Sequence, residues 1–378
     1  MLRDIDELLG RGVNRRTLLK GTAGIALGAG LAGCGVGDGS DASKEDTEKS
    51  VKKKIDGDLV YFNWTDYIDP ALLKKFEKQY GVKVRESNFD SMSSMMAKLR
   101  AGIAYDVIFP TAEYVQRLLS GNQLLKIDRS KLKNADLVYS AFDNPWYDKG
   151  SEHTTPYTMY ATGLGYRTDR VSGMTGSWRD LGEADSGGKS FMLDDFQEGI
   201  GMANMVNGYD LNSTDPDELA KSEEYLLDLK PKLRGLTSDT ITSMTSGNAN
   251  LQHLWNGDIV NIRNQVDSPE NYKFQKNEEG IPVGSDTFAI PVNAKHPGTA
   301  LTFIEFMLDP EHQAQNVAWM GYPMPYEGGA TESFEGLVKD DPEINVTVED
   351  LENGEQFVNL KAEGRLAWDQ AWTEFKAS

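Results

Sequence analysis

The side chains able to act on a ligand are carboxylates and aromatic rings, and they gather where strands end. Asn63-Trp64-Thr65-Asp66-Tyr67 lies between a first apolar strand and the helix that follows it. Asp194-Asp195-Phe196-Gln197-Glu198 occupies another strand-to-helix switch, with Asp195 and Glu198 three apart on one helical face. Trp255-Asn256-Gly257 follows Leu251 and Leu254, Asp286 precedes Phe288-Ala289-Ile290-Pro291, and Gly321-Tyr322-Pro323 ends a helix. Taken singly, each has a plain structural use: Asp194 or Asp195 as a helix cap, Trp255 as core, Tyr322-Pro323 as a turn. Taken in order they fit one cleft, because ligands of open α/β sheets bind beyond the carboxyl ends of the strands.

Such a set binds; it does not catalyse. Gly188-Lys189-Ser190 ends like a phosphate loop, but the required first glycine falls at Glu183, and the segment leads into a strand rather than a helix. His153, His253, His296 and His312 show no paired metal spacing, and the single cysteine adds no second ligand. No Gly-x-Ser-x-Gly elbow exists, and Asp210, Asn212 and Thr214 lack the glycine and distal glutamate of a calcium loop. With no nucleophile–base pair, neither catalysis nor a metal or cofactor is expected.

The elements that position these residues read as an α/β fold. Leu59-Val60-Tyr61-Phe62 is a buried strand; Asp69-Pro70 caps and opens a helix with Leu72, Leu73, Phe76 and Tyr80 on its apolar face, and Gly81 stops it. Val82 to Arg85 alternates as a second strand. Met92, Met95, Met96 and Leu99 mark the next helix, and Asp106 to Phe109 a third strand ending at Pro110-Thr111. This strand–helix alternation predicts parallel sheet covered on both faces. Further on, Gly163 to Tyr166 reads as a strand or hinge, Trp178 to Leu181 as a short helix, Ser190 to Leu193 as a strand before a helix from Asp195, and Thr299 to Leu308 as an amphipathic helix.

The start of the chain carries an address. Arg15-Arg16 precedes a glycine- and alanine-rich apolar run that ends at Leu31-Ala32-Gly33-Cys34. The run is shorter than the ~20 apolar residues a bilayer span needs, so it reads as an export signal of the twin-arginine type. Cys34, the only cysteine, stands where a lipid would be attached; the mature protein is expected on the outer face of the cell membrane, held by lipid and without a disulfide. Residues 34–57 are polar and read as a flexible tether.

The net charge is −20, and residues 1–33 hold five basic and three acidic side chains, so the mature part is more acidic still. That surface repels nucleic acid and anionic lipid heads. It fits a protein kept soluble at high salt, and also one that gathers cations.

The ordered set resembles the spermidine/putrescine-binding proteins of ABC importers. The likeness runs from about Leu59 to Lys361 and also takes in Ala104-Tyr105-Asp106-Val107 and Pro323-Met324-Pro325. The resemblance implies a two-lobed, periplasmic-binding-protein-like fold of type II, each lobe a mostly parallel sheet flanked by helices, with the ligand cleft between lobes. It implies lobe 1 from 58–159 plus 284–330 and lobe 2 from 160–283 plus 331–378. Trp64, Tyr67, Trp255 and Tyr322 match aromatics that line a methylene chain or its ammonium groups. Asp66, Asp195, Glu198 and Asp286 match carboxylates that bind amines; Thr111 matches a hydroxyl beside the ligand, and Thr65 lies within the first motif.

Three positions depart from that pattern: Glu113 stands in place of a tyrosine, Gly284 in place of a stacking tryptophan, and Phe357 in place of a glutamine. The resemblance implies a monomer that captures a polyamine and hands it to ABC permease subunits, performing no reaction. The alternatives are another cationic or small organic solute on the same fold, presentation of ligand to a chemotaxis receptor, or an exported enzyme on a similar scaffold.

Overall fold

The computed structural model describes residues 50–339 and 341–378. Arg15-Arg16, Cys34 and the first part of the tether lie outside the described residues. Among the described residues, no helix is long and apolar enough to cross a membrane.

The strands are β1 (Leu59–Trp64), β2 (Val84–Phe89), β3 (Val107–Ile108), β4 (Thr154–Arg167), β5 (Ser190–Met192), β6 (Gly235–Leu236), β7 (Leu251–Trp255), β8 (Tyr272–Gln275) and β9 (Val283–Ala289). They run in the order β2-β1-β3-β9-β4-β7-β5-β6, with β8 also on β4. β1 pairs in parallel with β2 and β3, and β5 in parallel with β6 and β7. Between these parallel halves lie the antiparallel crossing strands. The first part of β4, Thr154 to Ala161, pairs with β9, and the remainder, Thr162 to Arg167, pairs with β7 and β8. One strand therefore belongs to both halves. This is the two-lobed α/β architecture expected from the sequence.

Local signals account for the first helices. Asp69 accepts a hydrogen bond from Ala71 N as N-cap of Pro70–Tyr80, a cap worth about 1 kcal/mol, and Gly81 closes the helix at φ 69°. Asp195 caps Phe196–Val206 in the same way. The expected strand at Val82 to Arg85 begins at Val84 and runs to Phe89, with buried Val82 ahead of it and Leu59 N bonded to Lys83 O. Gly163 to Tyr166 is the end of the 14-residue β4. The helix expected from Thr299 starts at Pro297 and ends at Met307.

The tether expected through residue 57 is laid against the fold from Ser50 onward. Val51 N bonds Lys126 O, Lys53 pairs with Glu305 at 2.6 Å, and the Asp56 carboxylate accepts from Gly298 N (3.1 Å) and Thr299 N (2.9 Å). The last contacts place an anion at the start of the helix Pro297–Met307, which its dipole favours.

Two apolar cores flank the crossing. One contains Phe62, Phe76, Phe109, Tyr157, Phe288 and Phe303, and also takes in Leu254, Ile259 and Phe274. The other is built on Trp178, Met192, Ile200, Leu226, Trp368 and Phe375. Burial of side chains this large contributes about 1.5–3 kcal/mol each, and the first core runs across the crossing strands into β7 and β8.

Candidate ligand-binding site

The crossing strand β4 presents Thr158, Tyr160 and Thr162 on one face, since side chains alternate along a strand. Each threonine is tied to an acid. Thr158 Oγ1 lies 3.3 Å from Asp286 Oδ2, which also accepts from the Tyr67 hydroxyl at 2.7 Å. Thr162 Oγ1 donates to Glu198 Oε1 at 3.0 Å, and Trp255 Nε1 donates to the same oxygen at 2.9 Å. The other oxygens, Asp286 Oδ1 and Glu198 Oε2, are buried without a hydrogen-bond donor.

Burial sets the charge state of this group. It pushes the Glu198 carboxyl up to about 8, helped by the neighbouring Asp195 charge and opposed by the bonds from Trp255 and Thr162. Asp286 is raised to about 7 by burial, against the pull of its Tyr67 and Thr158 bonds. Glu113, in the first turn of the helix Ala112–Ser120, is 6% exposed and raised to about 8, again by burial; Thr111 donates to it at 2.5 Å. Among the described residues no lysine or arginine forms an ion pair with Glu113, Glu198 or Asp286. A buried carboxylate without a counter-ion is costly. The arrangement is therefore suited to a cationic ligand with N–H donors.

Aromatic rings from the two halves meet beside these acids. The Trp64 ring, braced by Phe89 at 4.7 Å, lies 6.2 Å from the Trp255 ring. Trp146 Nε1 donates to Gln356 Oε1 at 3.0 Å, a second contact between the halves. Each residue of Trp255-Asn256-Gly257 has its own task. Trp255 holds Glu198; Asn256 accepts from Ala161 N (3.0 Å) and donates to Ile344 O (2.8 Å); Gly257 leaves room for the Tyr322 ring, which any Cβ there would strike.

Several expected residues sit otherwise than in direct line of the acids. Tyr322 sends its hydroxyl to Asp258 Oδ1 at 2.7 Å and its ring against Tyr67 at 5.1 Å, so it supports Tyr67. Asp195 is half-buried and spends one oxygen on Gln197 N and Glu198 N, combining the cap reading with a place beside Glu198. Thr65 is exposed and joins none of these bonds. Asp66 is exposed too, in the left-handed region at φ 54°; partial burial and the charges of Glu86 and Asp239 raise its carboxyl.

Phe357, which stands in place of a glutamine, is turned away from the acids. Phe357 is buried in the second core against Gly201, whereas the preceding Gln356 faces Trp146. Thr158, Tyr160, Thr162 and Asp258 went unnoticed in the sequence. The first three alternate with Met159 and Ala161, a period-two signal that marks one face of a strand.

Two half-sheets joined by crossing strands, with an acidic and aromatic cleft at the crossing, define a two-lobed solute-binding protein of the periplasmic type, a binder and not an enzyme. The chain belongs to the bacterial extracellular solute-binding protein family, which residues 71–346 match. It is 33% identical over 301 residues to the spermidine/putrescine-binding periplasmic protein of Escherichia coli (strain K12), covering 79% of this chain and 85% of that protein. It is 29% identical to the putrescine-binding periplasmic protein SpuD of Pseudomonas aeruginosa (strain UCBPP-PA14), over 84% of this chain and 92% of that one. Among solved structures it is similar to a putative spermidine/putrescine ABC transporter protein of Listeria monocytogenes, with a TM-score of 0.76, 27% identity, and coverage of 85% and 99% of the two chains.

Proposed function

We propose that this protein captures a linear polyamine of the spermidine or putrescine kind outside the cell and delivers it to an ABC permease. The observation that carries the reading is the pair of undonated oxygens, Asp286 Oδ1 and Glu198 Oε2, on buried carboxyls either side of the crossing. An alkyl diamine brings an ammonium for each, and its methylenes take the apolar slot lined by Trp64 and Trp255. A cation over such a ring adds roughly 0.5–2 kcal/mol. The names of the relatives support the same ligand class.

In this reading Trp64, Tyr67 and Trp255 line the slot, with Tyr322 backing Tyr67. Asp286, Glu198, Asp195 and Glu113 hold the amines, Thr111 orients Glu113, and Asp66 with Thr65 lies on the exposed approach. Arg15-Arg16 directs export of the folded chain, and the lipid on Cys34 holds it as a monomer on the outer face of the membrane, within reach of the permease. The −20 charge suits work at high salt. Calorimetry with putrescine, spermidine, spermine and agmatine tests the ligand class. Saturable one-to-one heat from at least one is expected; no heat from any of them overturns it.

A further inference from the structure

We propose that Tyr160 supplies the aromatic floor of the cleft in place of a side chain at residue 284, and that its ring is the surface a bound amine crosses between its two anchoring acids. The second half of this statement rests on the cation-binding reading above.

Tyr160 and Gly284 are direct partners in the β4–β9 ladder. Cross-strand partners stand on the same face with their Cβ positions about 5 Å apart. The tyrosine ring leans over its partner: a Cβ built on Gly284 would come within 2.5 Å of both Cζ and the hydroxyl oxygen of Tyr160. No side chain fits at residue 284 while the ring holds that place. The glycine and the tyrosine form one unit, in which the aromatic surface is carried by β4 and the space for it by β9.

The position along β4 gives the ring its role. Thr158, two residues before, is bonded into the Asp286 group, and Thr162, two residues after, is bonded to Glu198. A two-residue step is about 6.6 Å, so the ring stands midway between anchors. Tyr160 is 8% exposed, and the charges of Glu113, Asp286, Glu198 and Asp195 all bear on its phenol. A chain with ammonium groups at both ends must lay its methylenes over this surface, where a ring gives apolar contact along the chain and favourable faces to its cations.

The test is a four-corner comparison in the full chain: native, Tyr160→Ala, Gly284→Trp, and both together. With Tyr160 present, Trp at 284 is overpacked and should lower the melting temperature by about 2–6 °C. In the Tyr160→Ala background the same substitution should raise it, because the new ring fills the space the old one left. This reversal of sign needs no ligand; a change of the same sign in both backgrounds overturns the exchange of rings.

Amine calorimetry on the same four proteins should show the reversal in affinity as well. Tyr160→Ala should lose about tenfold and the double variant recover most of it, as expected for loss and return of one ring contact. Unchanged affinity in Tyr160→Ala overturns the floor role. If the native chain binds no amine, the cation-binding reading and the floor role fall together while the melting comparison still decides the packing. Gly284→Ala is a milder arm should Tyr160→Ala fail to fold. It should lower the melting temperature; a gain, as at an open glycine site, counts against the contact.

Discussion

Trp255 donates its indole N–H to Glu198 Oε1 at 2.9 Å, joining the end of β7 to the first turn of the helix Phe196–Val206. The ring that walls the slot is thus also the group that aims the acid. Oε2 of Glu198 is left buried without a hydrogen-bond partner.

Replacing Trp255 separates these two tasks. Trp255→Phe keeps a ring but removes the N–H, and should weaken amine binding by about 1.5–3 kcal/mol, the worth of a hydrogen bond to a charged group. Trp255→Ala should weaken it further by removing the cation–π and methylene surface. Calorimetry on both checks this. Equal affinity for the native protein and Trp255→Phe would show that the indole N–H does not hold Glu198 for the ligand.

Stability of the ligand-free protein should fall as pH rises from about 4.5 to 8. The carboxyls of Glu113 and Glu198, at about 8, and Asp286, at about 7, keep protons in the folded chain that the unfolded chain has already lost. Folding therefore binds protons in that window, and each such group contributes a loss of up to about 1.4 kcal/mol per pH unit. Denaturant unfolding at stepped pH measures the slope. Glu198→Gln should flatten it and raise stability at pH 8; an unaltered slope would mean Glu198 is ionised throughout.

Ligand capture should be the mirror image. An ammonium is held by carboxylates, so binding must expel those protons, and affinity should climb as pH rises through 7 to 8. Calorimetry at pH 7 in buffers of differing ionisation enthalpy should register net proton release. Zero release would contradict the protonated state assigned to the free cleft.

How far these residues were legible in the sequence depended on whether their signals were local. Asp69, Gly81 and Asp195 act on their own helix ends, and a cap can be read from a few neighbours. Trp255, Glu198 and Asp286 stood out as acids and rings at strand ends. Tyr160 did not: its importance comes from Gly284, its partner in the β4–β9 ladder but distant in the chain, and a tyrosine in an apolar strand looks like core. Gln356 and Phe357 show the same limit, since only the partners distant in the chain, Trp146 for one and Gly201 for the other, tell the two adjacent residues apart. Tyr322 was visible as a motif, but the direction of its hydroxyl depends on Asp258.

The address at the start of the chain has its own test. Arg15→Lys with Arg16→Lys should leave precursor in the cytoplasm, and Cys34→Ser should release mature protein from membranes. Fractionation after a high-salt wash reads both; Cys34→Ser protein that stays membrane-bound would remove the lipid anchor from the proposal.

The central claim, that buried carboxylates at the crossing clamp the two ends of an amine, is tested most directly by calorimetry near 1 M salt. There the Debye length is about 3 Å, so long-range attraction to the acidic surface is screened while desolvated contacts persist. Asp286→Asn and Glu198→Gln should each lose roughly 2–5 kcal/mol of binding, the cost of breaking a buried, hydrogen-bonded charge pair. Asp217→Asn, on the exposed start of the helix Pro216–Leu229, should bind as the native protein does. Native affinity in both cleft variants would contradict the account.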